Sequence, residues 1–135
     1  MFDIEYNKLK RKLKLAIFNE FYIESLYIEN MILCKLIEYL CEQLHLEYAK
    51  NELEENLNKL IDNSEQEGFI KTHFTMEFYK EIKEWNKQFI LIKTLISNNE
   101  INEMKLKECT QIGNQIIGFF ENNLILLKKY KNAEN

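Results

Sequence analysis

At 135 residues, with 46% hydrophobic and 30% charged side chains, the chain has the size and make-up of one globular domain, residues 1–135. Its formal net charge of −4 argues against a molecule whose whole surface serves a nucleic-acid backbone. It has no Pro, and its only Gly residues are Gly68, Gly113 and Gly118, which excludes a turn-rich all-β chain and favours long helices.

The first apolar period runs from about residue 5 to about 45 and opens on a cationic cluster of Lys8, Lys10, Arg11, Lys12 and Lys14 interleaved with Leu9, Leu13 and Ile17. Two readings stand for it: a helix with one buried stripe and a solvated basic side, or a patch facing RNA. Further on, Leu26, Asn30, Leu33, Ile37, Leu40 and Leu44 repeat at alternating four and three, the signature of a helix-packing seam interrupted by one polar group. A break is expected near residues 15 to 20, without a residue to mark it. His45 closes the segment, where it can meet helix-terminal carbonyls. A second helix is predicted over about 47 to 63 from Leu53, Leu57, Leu60 and Ile61, ending in the polar stretch from Asn63 to Gly68.

A third helix is predicted from Thr75, an N-cap with Glu77 in the first turn, to about Ser97. Phe78, Ile82, Trp85, Phe89, Ile92 and Ile96 make one face, and Ile90, Leu91 and Leu95 widen it, so cover from other helices or a second subunit is expected. Asn98-Asn99-Glu100 marks a turn. Asn102 then caps a fourth helix to about Tyr130, with Leu106, Cys109, Gly113, Ile116, Phe120, Leu124 and Leu127 buried and residues 132–135 frayed. Each helical Gly costs about 1 kcal/mol relative to Ala, which points to close helix approach at Gly113 or Gly118. The result is an all-α fold, an antiparallel bundle of four to five helices.

Little in the chain reads as chemistry. Cys34, Cys41 and Cys109 sit within helical apolar patterns and read as buried reduced thiols, so neither disulfide framework nor metal is expected. No phosphate-binding loop, His-x-x-x-His pair, nucleophile elbow or Cys-x-x-Cys motif occurs, and no cofactor is implied. Glu20 and Glu24, like Glu77, Glu81 and Glu84, read as solvated faces, and His45 and His73 lack a titrating partner in sequence. The longest apolar runs, such as residues 89–92, fall short of the roughly 20 residues that cross a bilayer. The opening Met1-Phe2-Asp3-Ile4-Glu5 is unlike a signal peptide, so a cytoplasmic location is expected.

The order of elements does resemble one family. Glu24-Ser25-Leu26-Tyr27-Ile28-Glu29, then Asn56-Leu57-Asn58-Lys59-Leu60-Ile61, then Ile82-Lys83-Glu84-Trp85-Asn86-Lys87-Gln88-Phe89-Ile90-Leu91-Ile92-Lys93 and a last helix with Gly113 resemble small bacterial proteins of the HEPN superfamily. In those proteins the third segment reads approximately E-W-x-x-x-R-N-x-x-x-H. Gln88 then takes the arginine position, Phe89 the asparagine position and Lys93 the histidine position. The resemblance implies a homodimer through the third helix, whose paired Arg and His in active members cut RNA without metal.

Such chemistry needs a guanidinium to hold the phosphate and an imidazole that titrates near neutrality. The chain has one arginine, Arg11, with no histidine four to six residues after it. Gln88 is uncharged, and a lysine ammonium keeps its proton to about pH 10 in model peptides. A non-catalytic protein is therefore expected, acting as an interaction or RNA-binding component of a defence or toxin–antitoxin type system. The residues that would bind are Glu84, Trp85, Lys87 and Lys93, with Lys10, Arg11 and Lys12. Paired Lys93 residues attracting a phosphate or nucleotide, a residual ribonuclease or nucleotide-modifying enzyme, and a purely structural adaptor are the alternatives.

Overall fold

Six helices follow one another: α1 (Ile4–Phe18), α2 (Tyr22–Gln43), α3 (Leu53–Asp62), α4 (Gly68–His73), α5 (Met76–Ser97) and α6 (Glu103–Glu134). The structure, a computed structural model, describes residues 2–64 and 68–134, and no strand occurs among them. Among the described residues no helix is long and apolar enough to cross a membrane. Short polar side chains start three helices. Asp3 accepts the Tyr6 amide at 2.8 Å, Thr75 accepts that of Phe78 at 3.2 Å, and Asn102 accepts that of Lys105 at 3.2 Å.

The first apolar segment is two helices. Glu20 adopts φ 60°, and the Phe21 amide reaches back to the Ala16 carbonyl at 2.8 Å, closing α1 with a left-handed cap and turning the chain into α2. The same device ends α2 at His45 (φ 57°) and α5 at Asn99 (φ 58°), with Leu46 and Glu100 amides bonded to the carbonyls of Cys41 and Leu95. His45 therefore bends the chain after α2 through its backbone. The second helix also starts later than its composition suggests. Residues 46–52 form a loop held by Asn56, whose side chain accepts from the Ala49 amide at 2.9 Å and donates to the Ala49 carbonyl at 2.6 Å. The predicted loop at 63–68 lies partly outside the described residues, and α4 beginning at Gly68 was not anticipated.

Pairings between helices fix their directions. α2 and α6 run parallel, since Thr110 donates to the Tyr22 carbonyl at 3.5 Å and Lys131 to the Gln43 carbonyl at 2.9 Å. α1 runs against both, as Lys35 meets Glu5 at 3.6 Å and Lys10 meets Glu121 at 2.7 Å. α5 runs against α6, with Trp85 bonded to Cys109 and the rings of Phe78 and Phe120 5.6 Å apart. The four long helices thus alternate in direction along the chain, with α3 and α4 as shorter additions. The core, rich in Leu and Ile from α2, continues through Phe74, Phe78, Tyr79 and Phe120. The broadest contact is between the parallel pair α2 and α6.

Candidate functional site

The positions singled out in α5 are separated by the helix itself. Gln88 and Lys93 are five residues apart, which places them roughly 140° apart around an α-helix. Gln88 donates to Glu84 at 3.0 Å and lines the side of α5 facing α6. Lys93 lies 4.7 Å from the centre of the Phe89 ring, in cation–π geometry, and is not among the residues lining that side. Phe89 is buried between Trp85, stacked on it at 5.4 Å, and Tyr27 of α2, edge-on at 5.3 Å. Its ring lies in the interior, as its place on the apolar face of this helix predicts. Lys87 is exposed in a neighbouring depression with Lys80, Lys83, Glu54 of α3 and Glu84, which borders both sides.

The basic cluster of α1 divides as well. Lys10, tied to Glu121, edges a depression with Arg11 and Lys14 against Asn114 of α6, and Lys12 is exposed outside it. The three thiols are buried, and burial pushes Cys34 and Cys41 up to about 11 and Cys109 to about 12, so each remains a thiol at neutral pH. His73 is half-buried at the end of α4, where its carbonyl accepts from Asn123 at 2.9 Å.

Among the described residues one carboxyl side chain lies fully inside the bundle. Glu29 follows Ser25 and precedes Ile32 and Leu36 at the four- and three-residue spacing of the buried face of α2, and it is 0% exposed. Neither carboxyl oxygen has a hydrogen-bond partner. Burial drives its pKa up to about 9, so the side chain is an uncharged acid at neutral pH. It lies against α6 where the residue is Gly113: a Cβ there would stand 2.7 Å from Glu29 Cδ and 2.7 Å from Trp85 Nε1. The indole N–H donates to the Cys109 carbonyl at 3.0 Å, fixing the ring across the same stretch of α6. At 0% exposure, Glu29 presents no atom to the surface, and its carboxyl packs against α6 and Trp85. Its place between Leu26 and Leu33 was the available signal, which sequence reasoning spent on Asn30.

On the other side of Trp85 the molecule opens. A groove of about 640 Å³ runs between α5 and α6, with Phe78, Trp85, Ile112, Ile116 and Phe119 as its apolar lining. Ile112 and Phe119 remain 50% and 53% exposed. Glu81, Glu84 and Glu108 stand around it against Lys105. Of the residues expected to bind, the groove gathers Glu84 and Trp85; Lys87, Lys93 and the α1 cations lie elsewhere. The α6 residues were missed because Ile112 and Phe119 fall beside the buried stripe, which a search for a single stripe passes over. Among the described residues no cluster of His, Cys, Asp and Glu could hold a metal ion. Comparison with protein-family models, curated proteins and solved structures gives no match.

Proposed function

We propose that the chain is a non-catalytic, HEPN-like helical protein that works by binding another macromolecule, with the α5–α6 groove as its contact surface. The observation that carries the reading is the placement of Gln88, Phe89 and Lys93: one on the groove side, one in the core, one on the far flank of the same helix. Among these three positions no group that grips phosphate stands beside one that moves a proton near neutral pH, the pairing that metal-free RNA cleavage needs. The buried acid Glu29 does not replace them, because it presents no atom to the surface. Protein is favoured over RNA as the bound species by the carboxylates around the groove.

The wider setting, a defence or toxin–antitoxin type system, rests on the resemblance alone. So does the homodimer, for which α5 offers Ile90 and Leu91, 47% and 43% exposed. Ile92 is 2% exposed within the protomer, so an Asp there breaks the core, and Leu91→Asp is the informative substitution. Dimer mass lost in Leu91→Asp, with the helical circular dichroism kept, supports the α5 interface; an unchanged mass removes it. The non-catalytic reading is tested by incubating wild type and Lys93→Ala with single-stranded RNA. Intact RNA in both is expected, and cleavage that disappears in the variant would reverse the reading in favour of a residual ribonuclease.

A further inference from the structure

We propose that the α5–α6 groove takes one amphipathic helix from a partner protein, docked by its apolar face and steered by lysines or arginines that meet the glutamates around it. The inference rests on the reading of the chain as a binding protein and adds the chemistry of what is bound.

The lining sets the apolar requirement. Phe78, Trp85 and Ile116 form a buried apolar floor, and Ile112 and Phe119, two turns apart on α6, stand over it about half in water. The length sets the size. From Lys105 to Phe119 the groove follows about four turns of α6, or roughly 21 Å at 1.5 Å per residue, enough for an equal stretch of bound helix.

The backbone sets the conformation. The groove is walled by α5 and α6, whose internal amides and carbonyls are paired within each helix, so it offers an extended peptide no edge to bond. Side-chain ridges of two helices accept a third helix instead.

The charges set the partner's sign. Glu81, Glu84 and Glu108 are all exposed, Lys105 is half-buried, and Gln88 and Gln115 are neutral. Lys80, Lys83 and Lys87 line a neighbouring depression that shares Glu84 with the groove, whereas Glu81 and Glu108 have only Lys105 of opposite charge among the residues lining the groove itself. Like-charge contact disfavours phosphate backbones and acidic helices, and opposite charge favours a basic one.

Trp85 is the single tryptophan of the chain and lies, 2% exposed, in the floor of the groove, so an occupant that displaces water above it alters the surroundings of its ring. The probe is a synthetic amidated peptide of about 15 residues, of leucine and lysine at amphipathic helical spacing, with a twin carrying glutamate for every lysine. The cationic peptide is expected to shift Trp85 emission and to bind at least tenfold more tightly than its twin at low salt. That advantage shrinks as salt is added. The double substitution Glu81→Lys and Glu84→Lys inverts the order, and Phe119→Asp abolishes binding of both; all three side chains are exposed, and circular dichroism verifies the fold.

Equal binding of the twins, no change in Trp85 emission, an unchanged order in the charge-reversed protein, or binding retained by Phe119→Asp each overturns the proposal. So does a wild-type dimer, in sedimentation, that Phe119→Asp dissociates, because the groove then holds a second copy. A single-stranded RNA that alone shifts Trp85 emission assigns the surface to nucleic acid and overturns it too. RNA cleavage by the wild type would remove the parent reading while leaving the peptide result standing.

Discussion

α6 meets α2 and α5 in opposite ways. Against α2, at Gly113, the surfaces approach so closely that a methyl group would collide with the Glu29 carboxyl and the Trp85 indole. Against α5, Ile112 just before Gly113 and Ile116 nearly a turn after it border a groove wide enough to leave Phe119 half in solvent. Side-chain size at the contact decides between the two, and Trp85 belongs to both, closing the seam with its ring nitrogen while lining the groove. Gly118 completes the contrast. It lies in the same helix with nothing within 4 Å of a Cβ placed there, so glycine in a helix marks close approach only when a neighbour occupies the space.

The largest expected effect tests the tight side. Gly113→Val lowers stability by about 3 kcal/mol, since the overlapping atoms belong to a fully buried carboxyl and a rigid indole. Urea unfolding measures it, and a midpoint like that of wild type would mean that α2 and α6 have room to separate.

Next comes the acid in that seam. Folding raises Glu29 from an ordinary 4.5 to about 9, so between those values the folded chain keeps a proton that the unfolded chain has released. Its contribution is whole below the lower value and declines as pH rises toward the upper, by up to about 1.4 kcal/mol per pH unit. Glu29→Gln removes the dependence, and unfolding midpoints from pH 6 to 9 that fall in parallel for both proteins would show that another group is responsible.

Gly118→Ala is expected to raise stability by about 1 kcal/mol through helix propensity alone, opposite in sign to a change at Gly113. A loss at both glycines, measured by thermal unfolding, would erase the distinction between them. The smallest effect belongs to the open side. Ile112→Asp and Phe119→Asp each lower stability by about 1 kcal/mol or less, since both side chains are half in water and Phe119 keeps one ring contact, with Phe78 at 4.9 Å; a drop of several times that size would make the groove part of the folding core.

Periodicity made the helical class legible, and capping chemistry placed Thr75 and Asn102 at the starts of α5 and α6. What escaped was set by backbone geometry that composition does not announce. Glu20, a residue with ordinary helix propensity, adopts the left-handed conformation that splits the first segment, and Asn56 consumes the turn that would have extended α3. The site was half legible. Trp85 and Glu84 stand where the groove is, but α6 contributes Ile112 and Phe119 from outside its buried stripe, and pairing with α5 is a tertiary fact. Glu29 shows the converse, a charged residue type carried into the core by the spacing of its neighbours.

The caps at Glu20, His45 and Asn99 carry one more consequence. Each closes a helix in a conformation that suits glycine, and an L side chain there carries a strain of about 1 kcal/mol, smallest for asparagine. Bringing glycine to the first two positions recovers that strain without touching groove or seam. Set against a domain's total of about 5–15 kcal/mol, this is a reserve of thermal robustness that the chain leaves unclaimed, open to anyone who needs a hardier specimen for crystals or calorimetry.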